Sequence, residues 1–88
     1  MSTERKRLTG PVHGRIRQLR KARGLKLIDF AAKVGCHVSL ASHWEQGWSR
    51  PAPKSLAKIA KVLRVTELEL VRGEDAYKPY ERLLKRAA

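Results

Sequence analysis

The stretch GCHVSLASHWEQG, Gly35 to Gly47, gathers one cysteine, two histidines and a Trp-Glu pair. Three readings compete for it: a metal site, a Cys-His nucleophile, or a turn followed by a short helix. Spacing decides between them. Structural zinc takes four ligands in recognisable pairs such as CxxC or HxxxH. Cys36, His37 and His43 stand one and six residues apart, and residues six apart on a helix face different sides. Adjacent Cys and His side chains do not aim at each other, and neither a Gly-rich phosphate loop nor a paired acidic site accompanies them. No metal, cofactor or catalytic chemistry is expected, and Cys36 reads as a small, partly buried hydrophobe. What remains is a turn opened by Gly35, a helical run VSLASHWEQ, and a stop at Gly47.

The flanks give this run a partner. Upstream, LKLIDFAAKVG places Leu27, Phe30, Ala31 and Val34 at i, i+3, i+4 and i+7, the apolar stripe of an amphipathic helix. Two short helices joined by about three residues, with glycine opening the turn, describe a helix-turn-helix. Further upstream, Val12, Ile16, Leu19 and Ala22 predict a first helix that Gly24 ends. Downstream, Pro53 suits a first helical position, and Leu56, Ile59, Ala60 and Leu63 share a face. Thr66 and Glu69 have the spacing of a capping box, so a fifth helix is expected from there to Gly73. Pro79 opens a candidate sixth helix with Tyr80, Leu83, Leu84 and Ala87 on one side. An isolated helix of that length is marginal in water and needs a surface to pack on. Either this domain's own core or a second subunit would serve. The expected organisation is a basic arm over residues 1–10, an all-α domain over 11–74 and a helical extension over 75–88.

Charge speaks to partners. Twenty Lys and Arg against eight Asp and Glu give +12 over 88 residues, with a pI near 10.8. Such a field attracts polyanions, nucleic acid first and anionic membrane second. The single cysteine excludes an intrachain disulfide. The opening MSTERKRLTG has no apolar run after its basic residues and does not read as a signal peptide. No apolar run approaches the ~18–20 residues of a membrane span, so a cytoplasmic protein with no membrane association is expected.

Gly24, Phe30-Ala31, Gly35, the Ser-x-Trp-Glu-x-Gly of Ser42 to Gly47, Arg50-Pro51 and Leu56-x-x-Ile59-Ala60 together resemble the lambda-repressor-like (Cro/C1, XRE-type) helix-turn-helix family. The resemblance covers about Val12 to Gly73. It implies a compact five-helix domain that binds double-stranded DNA, usually as a homodimer on a two-fold operator. The family's base-contacting positions fall on Val38, Ser39 and His43, with Ser42 next. Ser39 discriminates loosely, a neutral His43 suits a guanine N7 or O6, and Val38 suits a thymine methyl. Glu45 resembles the family glutamate that pairs with an arginine on the first helix, here Arg20, whose guanidinium is expected to face a phosphate as well. Phosphate contacts, which supply affinity rather than sequence information, are expected from Arg20, Lys26, Arg50, Lys54, Trp48 and the arm residues Arg5 and Arg7, with a dimer interface or the domain's own surface as the alternatives for Trp48. Trp44 is read as core, His13 as an ordinary surface residue.

Four positions depart from the family pattern. Lys26 and Leu27 stand where Ser or Thr and then Gln are common, His37 stands where a hydroxyl caps the reading helix, and Arg64 stands where a glycine often follows the fourth helix. Tyr80, Leu83 and Leu84, with Leu70 of the fifth helix, are the expected dimer face. The reading is a dimeric, sequence-specific repressor, of phage or mobile-element type and without enzymatic activity. Two other classes stay open: an antitoxin whose tail binds a toxin partner, and a non-specific basic nucleic-acid binder.

Overall fold

A computed structural model describes residues 11–87, leaving the side chain of Ala87 aside. Most of each predicted stripe faces inward, although Ala22 and Leu83 are exposed and Leu27 is half-buried. Helix α1 (Val12–Ala22) turns Val12, Ile16 and Leu19 inward. Helix α2 (Leu27–Val34) contributes Phe30, Ala31 and Val34, and α3 (Val38–Gln46) contributes Ala41 and Trp44. Helix α4 (Pro53–Leu63) adds Leu56, Ile59, Ala60 and Leu63, with Pro53 in its first turn. Short α5 (Glu67–Val71) adds Leu70 and Val71. A 3-10 turn, Asp75–Tyr77, leads into α6 (Lys78–Ala87). These side chains form one core, and burying each large aliphatic or aromatic stabilises the fold by about 1.5–3 kcal/mol.

Helix ends are closed by several devices. At α5 the capping box forms as its spacing requires: Glu69 N–H donates to Thr66 Oγ1 at 3.1 Å, and Thr66 N–H to Glu69 Oε1 at 3.0 Å. Pro11 offers α1 no side-chain cap. A carboxylate from the far end of the chain substitutes, with Val12 N–H donating to Glu74 Oε1 at 2.9 Å. One arginine of α1 and the arginine that caps it terminate other helices. Arg15 Nη1 donates to the Leu70 carbonyl at 2.9 Å and Arg23 Nε to the Leu63 carbonyl at 2.9 Å. Arg15 does so at a cost, since its Nε is buried without a partner. Helix α4 ends on Arg64 at φ 60°, left-handed backbone that side chains other than glycine adopt only with strain.

Residues 75–86 pack on the helices that precede them. Tyr77 is 7 % exposed within the core, and its hydroxyl donates to the Pro51 carbonyl at 2.9 Å. Tyr80 and Leu84 pack against the same core. Leu70, expected at a dimer face, is wholly buried in its own chain and has no surface to offer a second copy. Leu70 and Val71 are the two residues by which short α5 joins the core. Of the expected face only Leu83 projects, 59 % exposed.

Candidate nucleic-acid interface

The α2–α3 turn is short because α2 ends abruptly. Gly35 takes φ 89°, and the N–H groups of Gly35 and Cys36 both donate to the Ala31 carbonyl, at 2.8 and 3.0 Å. Burial raises the Cys36 thiol above its ordinary pKa, opposed by a hydrogen bond from the Ala41 backbone. His37 caps α3 although imidazole is an unusual cap: its Nδ1 accepts from Ser39 N–H at 3.0 Å.

The stripe presented outward by α3 is Ser39, Ser42, His43 and Gln46, at i, i+3, i+4 and i+7. Ser39, His43 and Gln46 are exposed and Ser42 is half-buried. Gln46 Nε2 donates to Ser42 Oγ at 2.7 Å. Gln46 was absent from the expected readers, though the same helical period that selects Ser39 and His43 selects it. Val38 is half-buried and packs on the edge of the core, so part of its apolar surface is already used. Ala41 and Trp44 face inward.

At its far end α3 stops on Gly47, φ 80°. The left-handed backbone there favours glycine. A Cβ would also lie 3.1 Å from His13 Nδ1, so His13 is no idle surface residue but a half-buried ring closing a small cleft between α1 and the exit of α3. Trp48 follows with 72 % of its surface exposed. Its indole lies against His43, ring centroids 5.4 Å apart and planes tilted by 45°.

Arg20 and Glu45 tie α1 to α3. Arg20 Nε and Nη2 donate to the two carboxylate oxygens at 2.6 and 3.1 Å, and Nη1 donates to the Leu25 carbonyl at 2.8 Å. Three of its five N–H groups are therefore engaged within the chain. Lys26, Arg50 and Lys54 are exposed, and none takes part in the ion pairs found among the described residues. Lys26 precedes the first turn of α2 and Lys54 lies in the first turn of α4, with Arg50 in the loop after α3. Arg5 and Arg7 lie outside the described residues. No helix among the described residues is long and apolar enough to cross a membrane.

Comparison with known proteins agrees with this geometry. Residues 16–70 match a family model described as helix-turn-helix. HTH-type transcriptional regulator DdrOP3 of Deinococcus deserti is 33 % identical over 63 residues, 72 % of this chain and 49 % of its own. The chain thus spans about half the length of that curated relative. Among solved structures, SinR, a master regulator for biofilm formation, in complex with DNA superposes with a TM-score of 0.65 at 33 % identity. That match covers 68 % of this chain and 97 % of the other. A SinR/SinI protein complex gives 0.67 at 29 % identity, covering 86 % and 77 %. The chain belongs to the lambda-repressor-like helix-turn-helix family of DNA-binding transcription regulators.

Proposed function

We propose that this helix-turn-helix family member is a cytoplasmic, dimeric repressor that reads a two-fold operator in double-stranded DNA with α3 in the major groove. The observation that carries it is the outward stripe Ser39, Ser42, His43 and Gln46, which holds no acidic residue. Lys26, Arg50 and Lys54, exposed and in no ion pair found among the described residues, lie at the starts of α2 and α4 and in the loop after α3. His43 and Gln46 supply directional hydrogen bonding, Ser39 and Ser42 tolerant contacts, and Val38 an apolar edge. Such a set gives modest direct readout, so DNA shape contributes to selectivity. SinR, solved with DNA, shares the fold at 33 % identity.

Dimerisation is assigned to the exposed Leu83 side of α6. A second reading, that this face takes a protein partner in the manner of an antitoxin, draws support from a shallow groove there lined by Pro79, Arg82, Leu83, Lys85 and Arg86. The solved SinR/SinI complex, whose likeness covers 86 % of this chain, points the same way.

Selection of bound sites from random duplex DNA tests the proposal. It should return inverted half-sites centred ~34 Å apart or a multiple of that distance. Affinity for them should exceed that for random duplex by about 10³-fold or more. Equal binding to all duplexes would reduce the protein to a non-specific basic binder. A single unpaired half-site would remove the dimer. A protein that co-purifies and blocks operator binding would favour the antitoxin reading.

A further inference from the structure

We propose that Trp48 is a positioning residue for His43, its indole bracing the imidazole and so setting which base His43 prefers. This rests on the reading of α3 as the groove-facing helix. Gly47 turns the chain in the left-handed conformation, and Trp48 N–H donates to the His43 carbonyl at 3.0 Å. That six-to-one bond belongs to a Schellman cap, which brings the side chains of the residues it joins together. Here those side chains are the two rings, 5.4 Å apart.

The placement gives an otherwise unexplained residue a purpose. Trp48 is 72 % exposed and contributes nothing to the core. His43 is exposed at the end of its helix, and an unbraced ring there samples several rotamers. Each rotamer must be frozen on binding, and each lets the ring adapt to a different base edge. A ring held from one side loses that latitude, so a mismatched base meets an acceptor or donor that cannot turn away. Of its neighbours on the stripe, Ser39 and Ser42 are too short to need bracing, and Gln46 already donates to Ser42. A role for Trp48 in merely touching the sugar-phosphate backbone would act differently, lowering affinity for every sequence alike.

Selection from random duplex DNA with wild type, His43→Ala, Trp48→Ala and Trp48→Phe separates these cases. His43→Ala should flatten preference at one base pair of each half-site. Trp48→Ala should flatten the same position by about tenfold or more and leave the others in place. Trp48→Phe, which keeps a ring, should retain the preference within about threefold. Thermal unfolding of each variant guards the comparison, because the exposed indole contributes little to the core. If Trp48→Ala unfolds early, Trp48→Phe against Trp48→Leu asks the same question at similar bulk. Preference intact in Trp48→Ala, or affinity reduced for all sequences equally, overturns the brace. If His43→Ala itself alters no position, the failure belongs to the groove reading of His43 instead.

Discussion

Glu45 grips Arg20 through both carboxylate oxygens, and the two side chains are only 7 % and 13 % exposed. The pair fixes α3 to α1. Removing one member of a buried pair leaves the other charged and unmatched, which costs about 3–5 kcal/mol. Glu45→Ala should therefore lose roughly 3 kcal/mol in urea unfolding and lose DNA binding with it. Unchanged stability with weakened binding would contradict the structural assignment.

His37 holds the entrance of α3 by accepting Ser39 N–H on Nδ1. His37→Ala should cost about 1 kcal/mol, and His37→Ser should recover that loss, because a hydroxyl caps at least as well. Thermal unfolding of the two variants checks both halves of the statement. An alanine variant as stable as wild type would show that the ring is not a working cap.

Arg64 occupies left-handed backbone at φ 60°. Arg64→Gly should gain about 1 kcal/mol by relieving that strain, or roughly 4–8 °C in a domain of this size. Arg64→Ala, which removes the guanidinium but keeps the Cβ, should gain nothing. Equal gains from both would trace the effect to charge.

Tyr80 sits half-buried where α6 meets the core, and its pKa is pushed up to about 12 by burial, then by its hydrogen bond to Glu67 and that carboxylate's charge. The folded value lies above the ordinary 10. The stabilisation is thus complete below pH 10 and is lost as pH rises from there towards about 12. Unfolding midpoints followed across this window should fall more steeply for wild type than for Tyr80→Phe. Parallel curves would refute the assignment.

Arg50 and Lys54 are read as phosphate partners. Each alanine variant should lower the slope of log K against log salt by about 1 per bound protomer, with the same sequence preference. Fluorescence anisotropy on a fixed duplex across a salt series gives the slope. A slope that does not move for either residue removes it from the phosphate set.

Most of the helical frame was legible because each stripe repeats at helical spacing and every break but the one at Arg64 is marked by Gly or Pro. The α5 start was legible from Thr66 and Glu69 alone. What escaped were contacts between positions far apart in the chain. Nothing local to Glu74 announces that it caps α1, 62 residues away, and nothing local to Tyr77 announces its bond to Pro51. Leu70 looked available because an amphipathic pattern gives the apolar side but not what covers it. At the candidate site, the Arg20 partner of Glu45 came from family resemblance. Gln46 could have been found from the helical period, had the stripe been followed one more turn.

Arg15 and Arg20 of α1 and Arg23, which caps it, donate to main-chain carbonyls outside that helix, at Leu70, Leu25 and Leu63. This bears on which substitutions the chain tolerates. Lysine at any of the three would leave the isoelectric point almost unchanged and look conservative to a comparison that counts charge. A compact ammonium lacks the planar fork that lets Arg20 serve Glu45 and Leu25 together. Variants that drift from arginine to lysine along α1 would keep the field that draws in a polyanion while loosening the scaffold that aims α3 at it.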